Sequence, residues 1–249
     1  MGSTFGSLEL SKRALFAQQI ALHTTGHNIA NANTPGFTRQ TVNFVAARPL
    51  EALGLMRSTV PGQIGQSVEV TSITRIRERF LDNQYYNENK DLGQWSVRRD
   101  TLEKLEAIVN EPSETGLRQV MDNFWNAWQE LSKQPDNIEA RAVVRESANA
   151  LADAFNSVSK KLNDLSADLD DTVSVKTRQI QTLIDQIARL NAEIYRVEAL
   201  TNNANDLRDQ RDLLLDNLSK IVNIAVTEEA NGYYVRMGNV ELVRGANSA

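Results

Sequence analysis

Two apolar registers between Asn137 and Leu200 restrict this chain more than any other feature. Phe155, Val158, Leu162, Leu165 and Leu169 step by three and four. Val173, Ile180, Leu183, Ile187, Leu190, Ile194 and Val197 keep the same kind of spacing. That period belongs to a helix, and 137–200 as one helix would run roughly 95 Å at 1.5 Å per residue. The halves are out of register: from Leu169 the next step, to Val173, is four where three is due. Such a stutter locally unwinds a supercoil. A break between two helices near Asp170-Asp171 is the alternative, and the pattern leaves both open.

The same logic marks shorter helices. Leu8, Leu15, Leu22 and Ile29 recur every seven residues, with Ala14 and Ala21 beside them. A seam this narrow suits a coiled-coil partner better than a globular core. Asn28, Asn31 and Asn33 then tolerate left-handed backbone and bond their own main chain. Thr34-Pro35-Gly36-Phe37 has Pro and Gly at the central positions of a type II turn. A slender helix is therefore stopped and the chain is turned. Trp95, Leu102 and Val109 mark a further helix within 75–110, ended by Glu111-Pro112. Leu117, Val120, Met121, Phe124, Trp128 and Leu131 mark another over 116–133. Asp136 with Glu139 reads as a capping box for the long helix. Asn205 reads as the cap of a last helix to about Val222, with Asp206 and Asp209 favouring its dipole and Arg208 pairing with Asp212.

Strand periodicity is confined to two places. Thr41–Val45 and Ser67–Thr71 alternate, with Pro49, Gly54, Pro61, Gly62 and Gly65 between them suggesting loops and a loose hairpin. From Ile224 the period becomes two again, with turn signals at Asn231-Gly232 and Gly238-Asn239. The expected fold is mainly α: an elongated helical bundle or coiled coil, a short extended β segment near residues 40–72, and the start of a β-rich domain at the C-terminus. The expected divisions are 1–36, 37–74, 75–222 and 223–249.

Composition removes whole classes of function. The net charge of −5 speaks against nucleic acid or anionic lipid as main partner. No apolar run approaches the ~20 residues that span a membrane. No cleavable signal peptide is evident, and the absence of cysteine removes disulfides and thiol chemistry. His23 and His27 stand four apart, a spacing that can grip zinc, but HTTGH lacks the metalloprotease glutamate. Asp206, Asp209 and Asp212 lack the glycine-centred spacing of a calcium loop. Trp125 and Trp128 read as core or interface residues. No phosphate-cradling loop and no Ser/His/Asp set occurs, so neither an enzyme nor a cofactor is expected.

The stretch LFAQQIALHTTGHNIANANTPGFTRQ resembles the N-terminal signature of bacterial flagellar axial proteins: rod, hook and hook-associated subunits. LEAIVNEP, IARLNAEI and NDLRDQRD resemble internal motifs of the hook-associated members, in the same order. The resemblance implies a structural, self-assembling subunit at the hook–filament junction. It would be exported by the flagellar type III apparatus and located outside the cell. Its partners would be further copies in a ring, the hook protein and a second junction protein. The resemblance makes this chain an N-terminal portion of a longer protein, monomeric in isolation. Its 8–33 helix would then lack a natural partner, and be mobile or pack elsewhere. Hook or rod subunits, or an unrelated secreted coiled-coil module, are the rival readings.

Overall fold

A computed structural model describes residues 5–49, 65–109, 116–200, 203–229 and 231–248. Gly54, Pro61, Gly62, the stop at Glu111-Pro112 and Asn202 lie outside the described residues. The chain is mainly α, as its periods require. Helices α1 (Gly6–Ala30), α2 (Arg79–Val109), α3 (Leu117–Lys133), α4 (Ile138–Glu198) and α5 (Asn205–Ser219) alternate with two small sheets. Strands β1 (Gln40–Ala46) and β2 (Val68–Arg75) pair antiparallel, with a register shift between Asn43 and Phe44. Strands β3 (Ala225–Glu229), β4 (Gly232–Met237), β5 (Val240–Arg244) and β6 (Asn247–Ser248) form an antiparallel meander in chain order. Gly232, Gly238 and Gly245 take positive φ at its turns.

α4 is one continuous helix, so the stutter is absorbed without a break at Asp170-Asp171. Its start is capped differently from the expected Asp136–Glu139 box. Asn137 Oδ1 accepts from the backbone N–H groups of Glu139 and Ala140, at 2.8 and 3.2 Å. An Asn one residue closer to the first turn satisfies those orphan donors directly.

The chain divides into two compact units. The first gathers residues 1–89 and 182–249, the second residues 90–181. In the first unit, Ile187 of α4, Leu215 and Leu218 of α5, and Val235 and Val243 of the meander are fully buried. α1 lies against the β1–β2 ribbon in the same unit, with Ala17 and Thr24 buried. In the second unit, Ala127, Val144 and Leu165 are buried, whereas Trp95, Leu102, Trp125 and Trp128 stay exposed. The tryptophans of α3 are therefore not core residues. Trp128 stacks edge-on against Phe124, with ring centroids 6.2 Å apart. No described helix is long and apolar enough to cross a membrane.

Candidate functional site

The turn after α1 is built from side-chain amides. Asn28 behaves as a surrogate strand for the first residue of β1. Its Nδ2 donates to the Gln40 carbonyl at 2.8 Å and its Oδ1 accepts the Gln40 N–H at 2.9 Å. Asn31 donates back to the His27 carbonyl at 3.1 Å, and Thr34 Oγ1 donates to Asn31 Oδ1 at 3.1 Å. Asn33 and Pro35 are exposed. The Phe37 N–H donates to the Thr34 carbonyl at 3.2 Å, and Gly36 has φ +79°, which makes the expected type II turn. The asparagines do not use left-handed backbone; Ser67 is the one described non-glycine residue with positive φ. Bonding to strand and helix backbone fixes Asn28 and Asn31 instead.

The turn rests on α5. A Cβ added to Gly36 would lie 2.9 Å from Leu213 Cβ, so only glycine allows this approach. Asp206 Oδ1 accepts from Gln40 Nε2 at 2.7 Å and lies 3.3 Å from His27 Nε2. Asp209 Oδ2 accepts the Thr38 N–H at 2.9 Å. Its other oxygen accepts from Arg75 Nη1 at 2.7 Å, and the same nitrogen donates to Asp212 Oδ2 at 2.7 Å. Arg77 Nε donates to Asp82 Oδ2 at 3.0 Å and stands 3.5 Å from Asp212. Burial alone would lower the pKa of Arg75, but the Asp212 and Asp209 carboxylates outweigh it and hold the value above its ordinary level. Burial pushes the Tyr86 phenol upward, and the Asp212, Asp216 and Asp82 carboxylates add to the effect.

Two sequence expectations for α5 need correction. Asn205 does not cap the helix: Ala204 holds the N-cap position, without a side-chain bond. The Asn205 amide instead donates to the Ile73 carbonyl at 2.9 Å and to Gln40 Oε1 at 3.2 Å. The β1–β2 ribbon offers it acceptors that a helix start in isolation would not. Arg208 does not pair with Asp212. It forks onto Glu198 at 2.6 and 2.7 Å and reaches Glu228 at 3.2 Å. Asp212 has turned inward to Arg75 and Arg77, so the surface i,i+4 pair never forms.

A second buried polar cluster ties α4 to the meander. Asn191 Nδ2 donates to the Tyr233 and Gly245 carbonyls at 3.2 and 2.8 Å. Asn191 Oδ1 accepts from the Tyr233 N–H at 3.2 Å and from Arg211 Nη1 at 3.0 Å. The Arg211 guanidinium carbon sits 3.4 Å from the Tyr233 ring centroid. Sequence reasoning missed Arg75, Arg77, Asn191 and Arg211, because a buried polar side chain carries no period of its own. The signal for Gln40 was present, since it closes the signature stretch.

Against this joined face, the other side of α1 is bare. Leu8, Leu15, Leu22 and Ile29 are between 59 and 72% exposed. The helix thus has two seams: Ala17 and Thr24 packed on the ribbon, and the leucine line turned to solvent. His27 meets Asp206 and stands edge-on to Phe37, while His23 is exposed, so the pair does not converge on a common point. This arrangement can position and present an apolar surface.

Comparison with known proteins agrees with these motifs. Residues 102–249 match the family described as flagellar hook-associated protein FlgK helical domain, and residues 8–38 match that of the flagella basal body rod protein. The flagellar hook-associated protein 1 of Bacillus subtilis (strain 168) is 39% identical over 232 residues, 93% of this chain and 46% of the relative. That of Salmonella typhimurium is 29% identical over 238 residues, 94% of this chain and 42% of the relative. The chain spans about half the length of the curated relatives it matches. The flagellar hook junction protein FlgK from Burkholderia pseudomallei has a similar fold, with TM-score 0.56 and 22% identity over 67% of this chain and 29% of that one.

Proposed function

This chain belongs to the flagellar hook-associated protein FlgK family, and from that premise we propose that it is a structural subunit of the hook–filament junction. It works by assembly, without catalysis. Its partners are further copies in a ring, the hook protein, a second junction protein and the flagellar type III export apparatus; its place is the extracellular flagellar axis. Residues 1–36 serve as inner-shell helix and turn, 37–74 as connector, 75–222 as the α-helical domain and 223–249 as the start of a β-rich domain.

The observation that carries this reading is the bare seam of Leu8, Leu15, Leu22 and Ile29 on a helix whose opposite face is fastened. A line of large aliphatic side chains held in water is costly unless a partner covers it, at about 25 cal/mol per Å² of apolar surface. Asn28, Asn31, Asn33, Pro35 and Gly36 set the turn; Asn205, Asp206 and Asp209 receive it, while Asp212 holds Arg75 and Arg208 holds Glu198. A hook or rod subunit would account for residues 8–38 but not for the helical-domain match at 102–249.

The test is complementation. The full-length natural protein is placed in a bacterium lacking its hook-associated protein 1, and filaments on hooks are counted. Filaments are expected with the natural seam and not with Leu15→Asp/Leu22→Asp, although both proteins are exported. Exported natural protein without filaments would overturn the junction assignment. Filaments from the doubly substituted protein would overturn the role of the seam.

A further inference from the structure

We propose that α5 carries a proton-binding site at Asp216, which makes the packing of α5 against the first turns of α2 depend on pH. Charge is unevenly placed around a cluster in which Asp209 and Asp212 are buried and Asp82 and Asp216 half-buried. Asp82, Asp209 and Asp212 share Arg75 and Arg77, and Asp216 lies beside them outside those bonds. Arg75 is shared between Asp209 and Asp212, and Arg77 is committed to Asp82 and lies near Asp212. Among the described residues, Asp216 forms no ion pair.

Asp216 is also short of hydrogen-bond donors. Its Oδ1 is inaccessible to water and has no partner, and the same holds for Oδ1 of Asp212, one helical turn away. Asp212 is 2% exposed at its side chain, and its Oδ1 is 3.9 Å from Arg211 Nε, too far for a bond. The main chain at Asp216 is pinned: its carbonyl accepts from Asn89 Nδ2 at 2.7 Å and from Ser219 Oγ at 2.8 Å. The carboxyl group is therefore carried on a stretch of α5 that is bonded directly to α2.

The groups that face it come from every neighbouring element. The segment after β2 supplies Arg77 and Glu78, α2 supplies Asp82, Tyr85 and Tyr86, the turn region supplies Arg39, and α5 itself supplies Asp212 and Lys220. An unpaired carboxylate in such a place is stabilised by binding a proton, which removes the charge that burial and the neighbouring carboxylates penalise. Burial pushes the Asp216 carboxyl up to about 6; Arg77 and Lys220 oppose the shift, and Asp212 and Asp82 add to it.

The direction of the effect follows. A carboxyl whose folded pKa is raised contributes stability fully below its unfolded value, 3.8, and loses that contribution as pH rises past about 6. Through this site alone the unfolding equilibrium constant should rise roughly tenfold between pH 5 and pH 7.5.

The test uses the 249-residue chain and its Asp216→Asn variant. Urea unfolding is measured at pH 5 and pH 7.5. The natural chain should show the rise, and the variant should lack that component and be the more stable of the two at pH 7.5. Equal pH dependence in the two proteins would overturn the proposal. The carboxyl carbon of Asp216, followed by NMR in the unsubstituted chain, gives a reading that does not rely on the variant folding. A midpoint above pH 5 supports the site, and a midpoint at or below 4.5 overturns it.

Discussion

Asn191 bonds α4 to the C-terminal meander at three points. One side chain satisfies the N–H and C=O of Tyr233, the carbonyl of Gly245 and a nitrogen of Arg211, all in a buried setting. Asn191→Ala would strand these partners away from water. We expect a loss of about 2–4 kcal/mol in chemical unfolding, well beyond the cost of a surface change. Gly232 is bound to the same point: its φ is +121° and an added Cβ would come within 2.9 Å of Asn191 Cγ. Gly232→Ala should therefore cost about 2 kcal/mol or more by the same measurement. Glu198 acts in the opposite pH direction to Asp216. Its hydrogen bonds from Arg208 hold its carboxyl below the usual range. The stability it contributes is present above the ordinary carboxylate value and is lost as pH falls through the lowered one, so Glu198→Gln should flatten the acid side of a thermal-stability profile.

At the scale of elements, α1 shows what the sequence makes legible and what it hides. The leucine seam was readable because large aliphatic residues recur every seven positions. The packed seam at Ala17 and Thr24 was not, because small residues carry almost no hydrophobic signal. The two faces should respond in opposite ways. Leu15→Asp with Leu22→Asp should change the stability of the isolated chain by less than about 1 kcal/mol. Ala17→Leu should force α1 off the ribbon and raise amide hydrogen exchange along the helix. Equal exchange in Ala17→Leu and the unsubstituted chain would mean that this contact does not hold α1. The period of α4 likewise gave its length, and a continuous helix carries the register change that left two readings open. The strand segments and their turns were legible from alternation and from Gly232 and Gly238. The bonding of Asn205 and Arg208 was not, because their partners lie on segments whose placement only the fold decides.

Across the first compact unit, two motifs separated by about 170 positions of chain form one polar joint. Thr38 and Asp209 are 171 residues apart in sequence, and Arg75 and Asp209 134. Such bonds form only once α5 and the ribbon are in place, so the direction of α1 is set by the tertiary fold and not by the turn alone. The joint gives the exposed leucine seam a defined direction. Because the chain has no cysteine, a pair of spin labels can be placed without removing anything native. The most direct measurement is the distance distribution between labels at Gln18→Cys in α1 and Asn217→Cys in α5, taken with and without Asp209→Ala. A single narrow distribution that broadens in the Asp209→Ala protein, while its helix content stays the same, is the result expected. A distribution already broad in the unsubstituted joint, or one that Asp209→Ala leaves unchanged, would contradict the account.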